Sequence, residues 1–140
     1  MRKAVFDTNV LVSAVIQVGK PRLLVDYVLD GKIDLILSKE IVEEFQRVIA
    51  REKFKLDKSK QNELTSFILN LGRIVRVRSK LKVVKEDPDD DIVINTAING
   101  KADYIVSGDK HLLALKEFRG IEIIGVDEML KLLRKQPTKI

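Results

Sequence analysis

The residues of this chain best equipped for chemistry are its carboxylates. Asp7 closes the apolar run Ala4-Val5-Phe6 in "KAVFDTNVL", ahead of the polar pair Thr8-Asn9. Asp109 closes a second apolar run in "DYIVSGD". Glu86, Asp87, Asp89, Asp90 and Asp91 crowd around "DPDDDIVINTAINGK", and Glu44 lies within "SKEIVEEFQRVIARE". An acid that ends a core strand either caps the next helix or holds something. Two carboxylates about 5 Å apart repel by roughly 3 kcal/mol at an effective dielectric of 20, so several ionised acids in one place call for a cation. There is no cysteine and one histidine, His111. Oxygen donors alone suit a hard ion, Mg²⁺ or Mn²⁺. Such an ion keeps waters, and a bound water can be activated for attack.

Whether these acids meet depends on the elements that carry them. Lys3 to Phe6 reads as a strand. Asn9 to Ile16 and Pro21 to Leu29 read as helices, the second closed by Gly31. Asp34 to Leu37 is a short strand, and Ser38 then caps a helix running to about Arg51. Asp57 to Leu71 is an amphipathic helix stopped by Gly72. Ile74 to Val77 reads as a strand, Asp87-Pro88 opens a helix that ends near Gly100, and Asp103 to Val106 is a strand. A short helix from His111 to Lys116, a strand from Ile121 to Gly125 and a helix from Val126 to Arg134 complete the chain. Alternating strands and helices imply an α/β fold with a mostly parallel sheet. In such folds ligands bind beyond the carboxyl ends of the strands, where Asp7 and Asp109 lie.

Helical phase sorts the remaining acids. With residues at about 100° intervals, the apolar face of the "DPDDDIVINTAING" helix centres among Val93, Ile94 and Ala97. Asp90 falls in line with Ile94 and Ala97, over the end of the sheet; Asp89 and Asp91 fall further round. Asp87 is a good N-cap and Pro88 a good first helical residue, so capping explains one or two of these acids but not all. In the "SKEIVEEFQRVI" helix the stripe is Ile41, Val42, Phe45, Val48 and Ile49. Glu40 and Glu43 point away toward solvent. Glu44 borders the stripe, a solvated flank or a fourth member of the acidic set. His111 reads as a helix-start residue.

At 140 residues, with 45% hydrophobic and 34% charged residues, the chain is expected to form a single globular domain over residues 1–140. Without cysteine, a disulfide framework, a thiolate zinc site and a thiol nucleophile are excluded. No apolar run reaches the roughly 20 residues of a membrane span, and residue 1 leads straight into a strand, so no membrane association and a cytoplasmic location are expected. The formal charge of +5 favours a polyanionic partner. Its densest stretch, "RIVRVRSKLKVVK", makes Arg76, Arg78 and Lys80 candidates for binding that polyanion; a solvated edge strand is the plain alternative. Basic residues around an acidic pocket match metal-dependent cleavage of a phosphodiester.

The stretches "VFDTNVLVSAV", "LSKEIVEEFQRVI", "DPDDDIVINTAINGKADYIVSGDKHLL" and "IEIIGVDEML" together resemble the successive motifs of PIN-domain nucleases. The likeness is to the VapC-like branch, toxins of prokaryotic toxin–antitoxin pairs, and spans about residues 3 to 133. It implies a three-layer α/β/α fold with a central parallel sheet and Mg²⁺- or Mn²⁺-dependent hydrolysis of single-stranded RNA. The family acids fall on Asp7, Glu44, Asp90 and Asp109, as catalytic residues and metal ligands, with Asp91 the neighbouring alternative to Asp90. Asn9 and Ser107 fall on the supporting polar positions. The resemblance also implies an antitoxin partner and a homodimer. A non-catalytic RNA-binding PIN module, or an RNA-processing nuclease without an antitoxin, are the other readings.

Overall fold

The computed structural model describes residues 2–84 and 88–134. The strands are β1 (Arg2–Phe6), β2 (Ile33–Leu37), β3 (Arg73–Ile74), β4 (Tyr104–Val106), β5 (Glu117–Phe118) and β6 (Ile121–Ile124). The helices are α1 (Thr8–Ile16), α2 (Lys20–Leu29), α3 (Lys39–Ile49), α4 (Lys58–Leu71), α5 (Pro88–Asn99), α6 (Lys110–Leu115) and α7 (Val126–Arg134). They form one sheet in the order β3-β2-β1-β4-β6-β5. All neighbours pair in parallel except β5 with β6. From β1 the chain steps outward through β2 to β3, then returns to place β4 on the other side of β1. These two crossovers run in opposite directions, so right-handed connections put α1 and α2 on one face and α5 on the other. The switch point falls between β1 and β4.

The central strands are apolar on both faces, as sandwiched parallel strands must be. Ala4, Val5, Phe6, Leu35, Ile36, Leu37, Ile105 and Val106 are at most 1% exposed. α5 packs across β1, β4 and β2. It can lie that close because it ends on Gly100, where a Cβ would stand 2.6 Å from Ile36 Cγ2.

A buried hydroxyl relay fastens α3 to α5. Ser38 Oγ accepts from the Ile41 amide at 3.2 Å, which caps α3. Thr96 Oγ1 donates to the Ile92 carbonyl at 2.8 Å. The proton between Ser38 Oγ and Thr96 Oγ1, 2.7 Å apart, therefore comes from Ser38. Both residues are fully buried.

Three local expectations are revised. The strand expected over Ile74 to Val77 is only Arg73–Ile74, because beyond Val75, whose amide still bonds the Leu37 carbonyl, the chain leaves the ladder. β5 was not foreseen; a two-residue strand is too short for periodicity to reveal. It forms a hairpin with β6 around Arg119 and Gly120, both at positive φ (50° and 84°), as a tight primed turn requires. α3 stops at Ile49, followed by a short 3₁₀ turn at Glu52–Phe54. The Asp87 cap lies outside the described residues. Among the described residues no helix is long and apolar enough to cross a membrane.

Replacing Ser38 with Ala removes the α3 cap, leaves the buried Ile41 amide without its acceptor and takes one bond from Thr96, a loss of about 1–3 kcal/mol. The expected fall in melting temperature is on the order of 5–10 °C; an unchanged transition would show that the relay does not fasten the helices.

Candidate active site

The site begins with one register. Phe6 pairs with Val106 across β1 and β4, and the Asp7 amide continues the ladder to the Val106 carbonyl at 3.0 Å. The next residues on the two strands are thus held side by side. Asp7 is 5% exposed and Ser107 fully buried. Asp7 Oδ1 accepts from the Val10 amide at 2.9 Å and caps α1. Its Oδ2 accepts from Ser107 Oγ, and Ser107 Oγ in turn accepts from the Asp109 amide at 2.9 Å. Asp109 caps α6: its Oδ1 accepts from the amides of His111 and Leu112 at 2.8 and 3.2 Å. Asp7 and Asp109 thus each cap a helix while lining one cleft.

A small cleft of about 50 Å³ opens above this pair, lined by Asp7, Thr8, Asn9, Glu44, Asp89, Asp90, Val93 and Asp109. Its size suits an ion with one or two waters. Asp90 is 7% exposed, as its place in line with Ile94 and Ala97 requires. Glu44 reaches the cleft from α3, partly buried, and Asn9 lies exposed at its rim. The acids share the cleft, but among the described residues no three stand close enough to grip an ion as they are. Mutual repulsion favours that spacing. The donors still fit a hard cation: all are oxygens, and Thr8 Oγ1, which sequence reasoning passed over, is buried without a hydrogen-bond partner among the described residues. Its signal was its place between Asp7 and Asn9. A larger cleft of about 410 Å³, lined by residues of α3 and α4 such as Gln46, Arg47 and Gln61, lies away from these acids.

Asp91 does not line the acidic cleft. Its Oδ1 accepts from the amides of both Val83 and Val84 at 2.8 Å. Farther along α5, Asn95 grips the preceding segment as a strand would. Its Oδ1 accepts from the Leu81 amide at 3.0 Å and its Nδ2 donates to the Leu81 carbonyl at 3.0 Å. Asn99 Oδ1 accepts from the Arg78 amide at 3.1 Å. Residues 75–84 thus form a strap along α5, with Arg76, Arg78 and Lys80 exposed. The strap also corrects the reading of Glu40. It is half-buried, lining a cavity of about 240 Å³ with Val77, Ser79 and Lys80 instead of pointing to solvent. Glu43 is exposed, 3.7 Å from Lys39. His111 is exposed at the start of α6.

This fold and cleft define a class: a parallel α/β domain that gathers carboxylates at the switch point of its sheet. The model of the PIN domain family matches residues 3–111, a stretch that includes all four acids, and the chain belongs to that family. PIN domains are in general nucleases. No curated protein matches the chain. Among solved structures it is similar to VapBC2 from Rickettsia felis bound to a DNA fragment from their promoter, with 14% identity, a TM-score of 0.62, and coverage of 88% of this chain and 98% of that one. It is likewise similar to PAE2754 from Pyrobaculum aerophilum, with 14% identity, a TM-score of 0.62, and coverage of 97% and 91%. At that identity the likeness is one of fold.

Burial raises the Asp7 pKa above its ordinary 3.8, and the charge of Asp109 adds to this; the Ser107 hydroxyl and the Val10 and Gly108 amides pull the other way. The folded protein therefore holds this proton more tightly than the unfolded chain. The resulting stabilisation is complete below 3.8 and is lost as pH rises through the raised folded value. Asn at this position can still cap α1. Asp7→Asn is expected to raise the melting temperature in EDTA at neutral pH by a few degrees, on the order of 1 kcal/mol. The gain should shrink as the pH is lowered toward the acid range. A variant that melts lower at neutral pH would contradict this sign.

Proposed function

We propose that the chain is an Mg²⁺- or Mn²⁺-dependent ribonuclease that hydrolyses single-stranded RNA, and the toxin of a toxin–antitoxin pair. The observation that carries the reading is the cleft lined by Asp7, Glu44, Asp90 and Asp109 in a chain of net charge +5. Asp7, Glu44, Asp90 and Asp109 would hold the ion, with the buried Thr8 Oγ1 and, at the rim, Asn9 offering further oxygens. The ion supplies positive charge beside the scissile phosphate and eases loss of a proton from the attacking water. The chain's own part is positioning. Ser107 and the Val10 amide hold the Asp7 carboxylate, and the His111 and Leu112 amides hold Asp109, so neither carboxylate must reorganise during the reaction. Attack by water forms the new P–O bond and breaks the bond to the 3′ oxygen, which leaves with a proton as a hydroxyl. The products carry 5′-phosphates.

The toxin role is supported by the motif order and by the fold shared with the VapBC2 structure. An antitoxin encoded beside this chain, co-purifying with it and suppressing cleavage, is the expected companion. A homodimer is supported by apolar side chains left exposed on α2 (Leu23 and Leu29) and α4 (Phe67 and Leu69). Light scattering at micromolar concentration should return twice the chain mass; the mass of one chain would count against it.

Labelled RNA should be cut with Mn²⁺ and left intact with EDTA. Equal cutting in both, no cutting in any metal, or 2′,3′-cyclic phosphate ends would overturn the reading. Asp90→Asn should lower the rate by about 10²-fold or more, in line with the loss of one preorganised charge. Asp91→Asn should be mild, because an amide oxygen can still accept from Val83 and Val84. If Asp91→Asn abolishes Mn²⁺ binding while Asp90→Asn does not, the ligand assignment moves by one residue.

A further inference from the structure

Residues 75–84 are not a strand of the sheet, yet their burial alternates as a strand's would. Val75, Val77, Ser79, Leu81 and Val83 turn inward, and Arg76, Arg78, Lys80 and Lys82 are exposed. On an extended chain, alternate side chains stand about 6.5 Å apart. None of the four cations forms an ion pair among the described residues. The extension is imposed from outside. Asp91, Asn95 and Asn99 recur every four residues on one side of α5. Together they bind the backbone at residues 78, 81, 83 and 84, and Ser79 Oγ lies 2.6 Å from Asn95 Oδ1 and 2.8 Å from Asn99 Nδ2. Asn95 Nδ2 also reaches the Asp91 carbonyl at 2.8 Å, so the amide is held at both ends. The strap runs antiparallel to α5, and its last clamp, Asp91, adjoins Asp90 in the acidic cleft.

We propose that this strap is a phosphate track: α5 fixes it extended so that Arg76, Arg78, Lys80 and Lys82 meet successive phosphates of a single strand and lead it to the acidic cleft. Asn95 and Asn99 are positioning residues for that contact. The identity of the strand as RNA rests on the ribonuclease reading above. A single strand is favoured over a duplex because the row is straight and one residue wide, whereas recognition of duplex RNA needs a surface spanning its grooves.

The test measures binding of a labelled single-stranded oligoribonucleotide across a salt series, in EDTA, with Asp90→Asn as the background. Removing three phosphate contacts by combining Arg78→Gln, Lys80→Gln and Lys82→Gln should make the slope of log K against log salt shallower by about 2, at roughly 0.7 per contact. Asn95→Leu should also flatten the slope while leaving all four cations in the chain, a result that a purely structural role would not give. An unchanged slope in the triple variant overturns the track. These substitutions lie wholly on the exposed side, so that variant decides even if Asn95→Leu fails to fold. If polyglutamate binds as tightly with the same dependence on the three cations, the strap serves an acidic protein and the proposal fails. Cleavage by the unaltered protein in Mn²⁺ is scored separately. Cleavage with an unchanged slope sinks the track alone; a flattened slope without cleavage sinks the nuclease reading alone.

Discussion

The hydroxyl of Ser107 is the contact on which the site depends. It donates to Asp7 and accepts from the Asp109 amide, joining acids that follow two adjacent parallel strands. Carboxylates left to themselves would separate or take up protons. The hydroxyl and the helix caps keep this pair together without neutralising it. Burial of Asp7 outweighs these bonds and, with the Asp109 charge beside it, raises its pKa, so the domain carries at its centre a group whose ionisation opposes folding. Sites of this kind hold their geometry because the structure around them is over-determined. Here that support comes from the β1–β4 register and the α3–α5 relay.

α5 shows how one helix can serve three neighbours. Its apolar side, Val93, Ile94 and Ala97, packs on the sheet. Asp90, one turn ahead of Ile94, extends that side past the strand ends into the cleft. Asp91 begins a separate polar row, with Asn95 and Asn99, that holds the strap. A shift of phase by one residue would exchange the two acids between jobs that are not interchangeable. One requires a carboxylate in an acidic cleft; the other requires an acceptor for two amides.

Much of this was legible in the sequence because the relevant signals are local. Apolar runs, caps and stop residues located the α-helices of the described residues to within a few residues, and phase put Asp90 nearer the core stripe than Asp91 while leaving Asp91 open as the alternative. The cap foreseen as one role for Asp7 occupies only one of its oxygens, and the other meets Ser107 beside the cleft. What was not legible depended on partners distant in the chain or on elements too short to have a period. The backbone amides that occupy Asp91 leave no mark in a residue pattern. The burial of Glu40 follows from a strap 35 or more residues away. The Ser38–Thr96 contact joins residues 58 apart. β5 was betrayed only by Arg119-Gly120, a turn that positive φ makes tight.

The two-residue lengths of β3 and β5 have a consequence for how copies of this chain can meet. They are the outermost strands of a sheet whose inner strands are almost wholly apolar. A long open border on such a sheet would be a template for adding strands from a second molecule, the first step toward cross-β aggregates. Here one border ends after Arg73–Ile74, where the chain turns to side-chain amides on α5, and the other is a tight antiparallel hairpin. Association by sheet extension is thereby disfavoured, and crowded copies are left to meet through their helices.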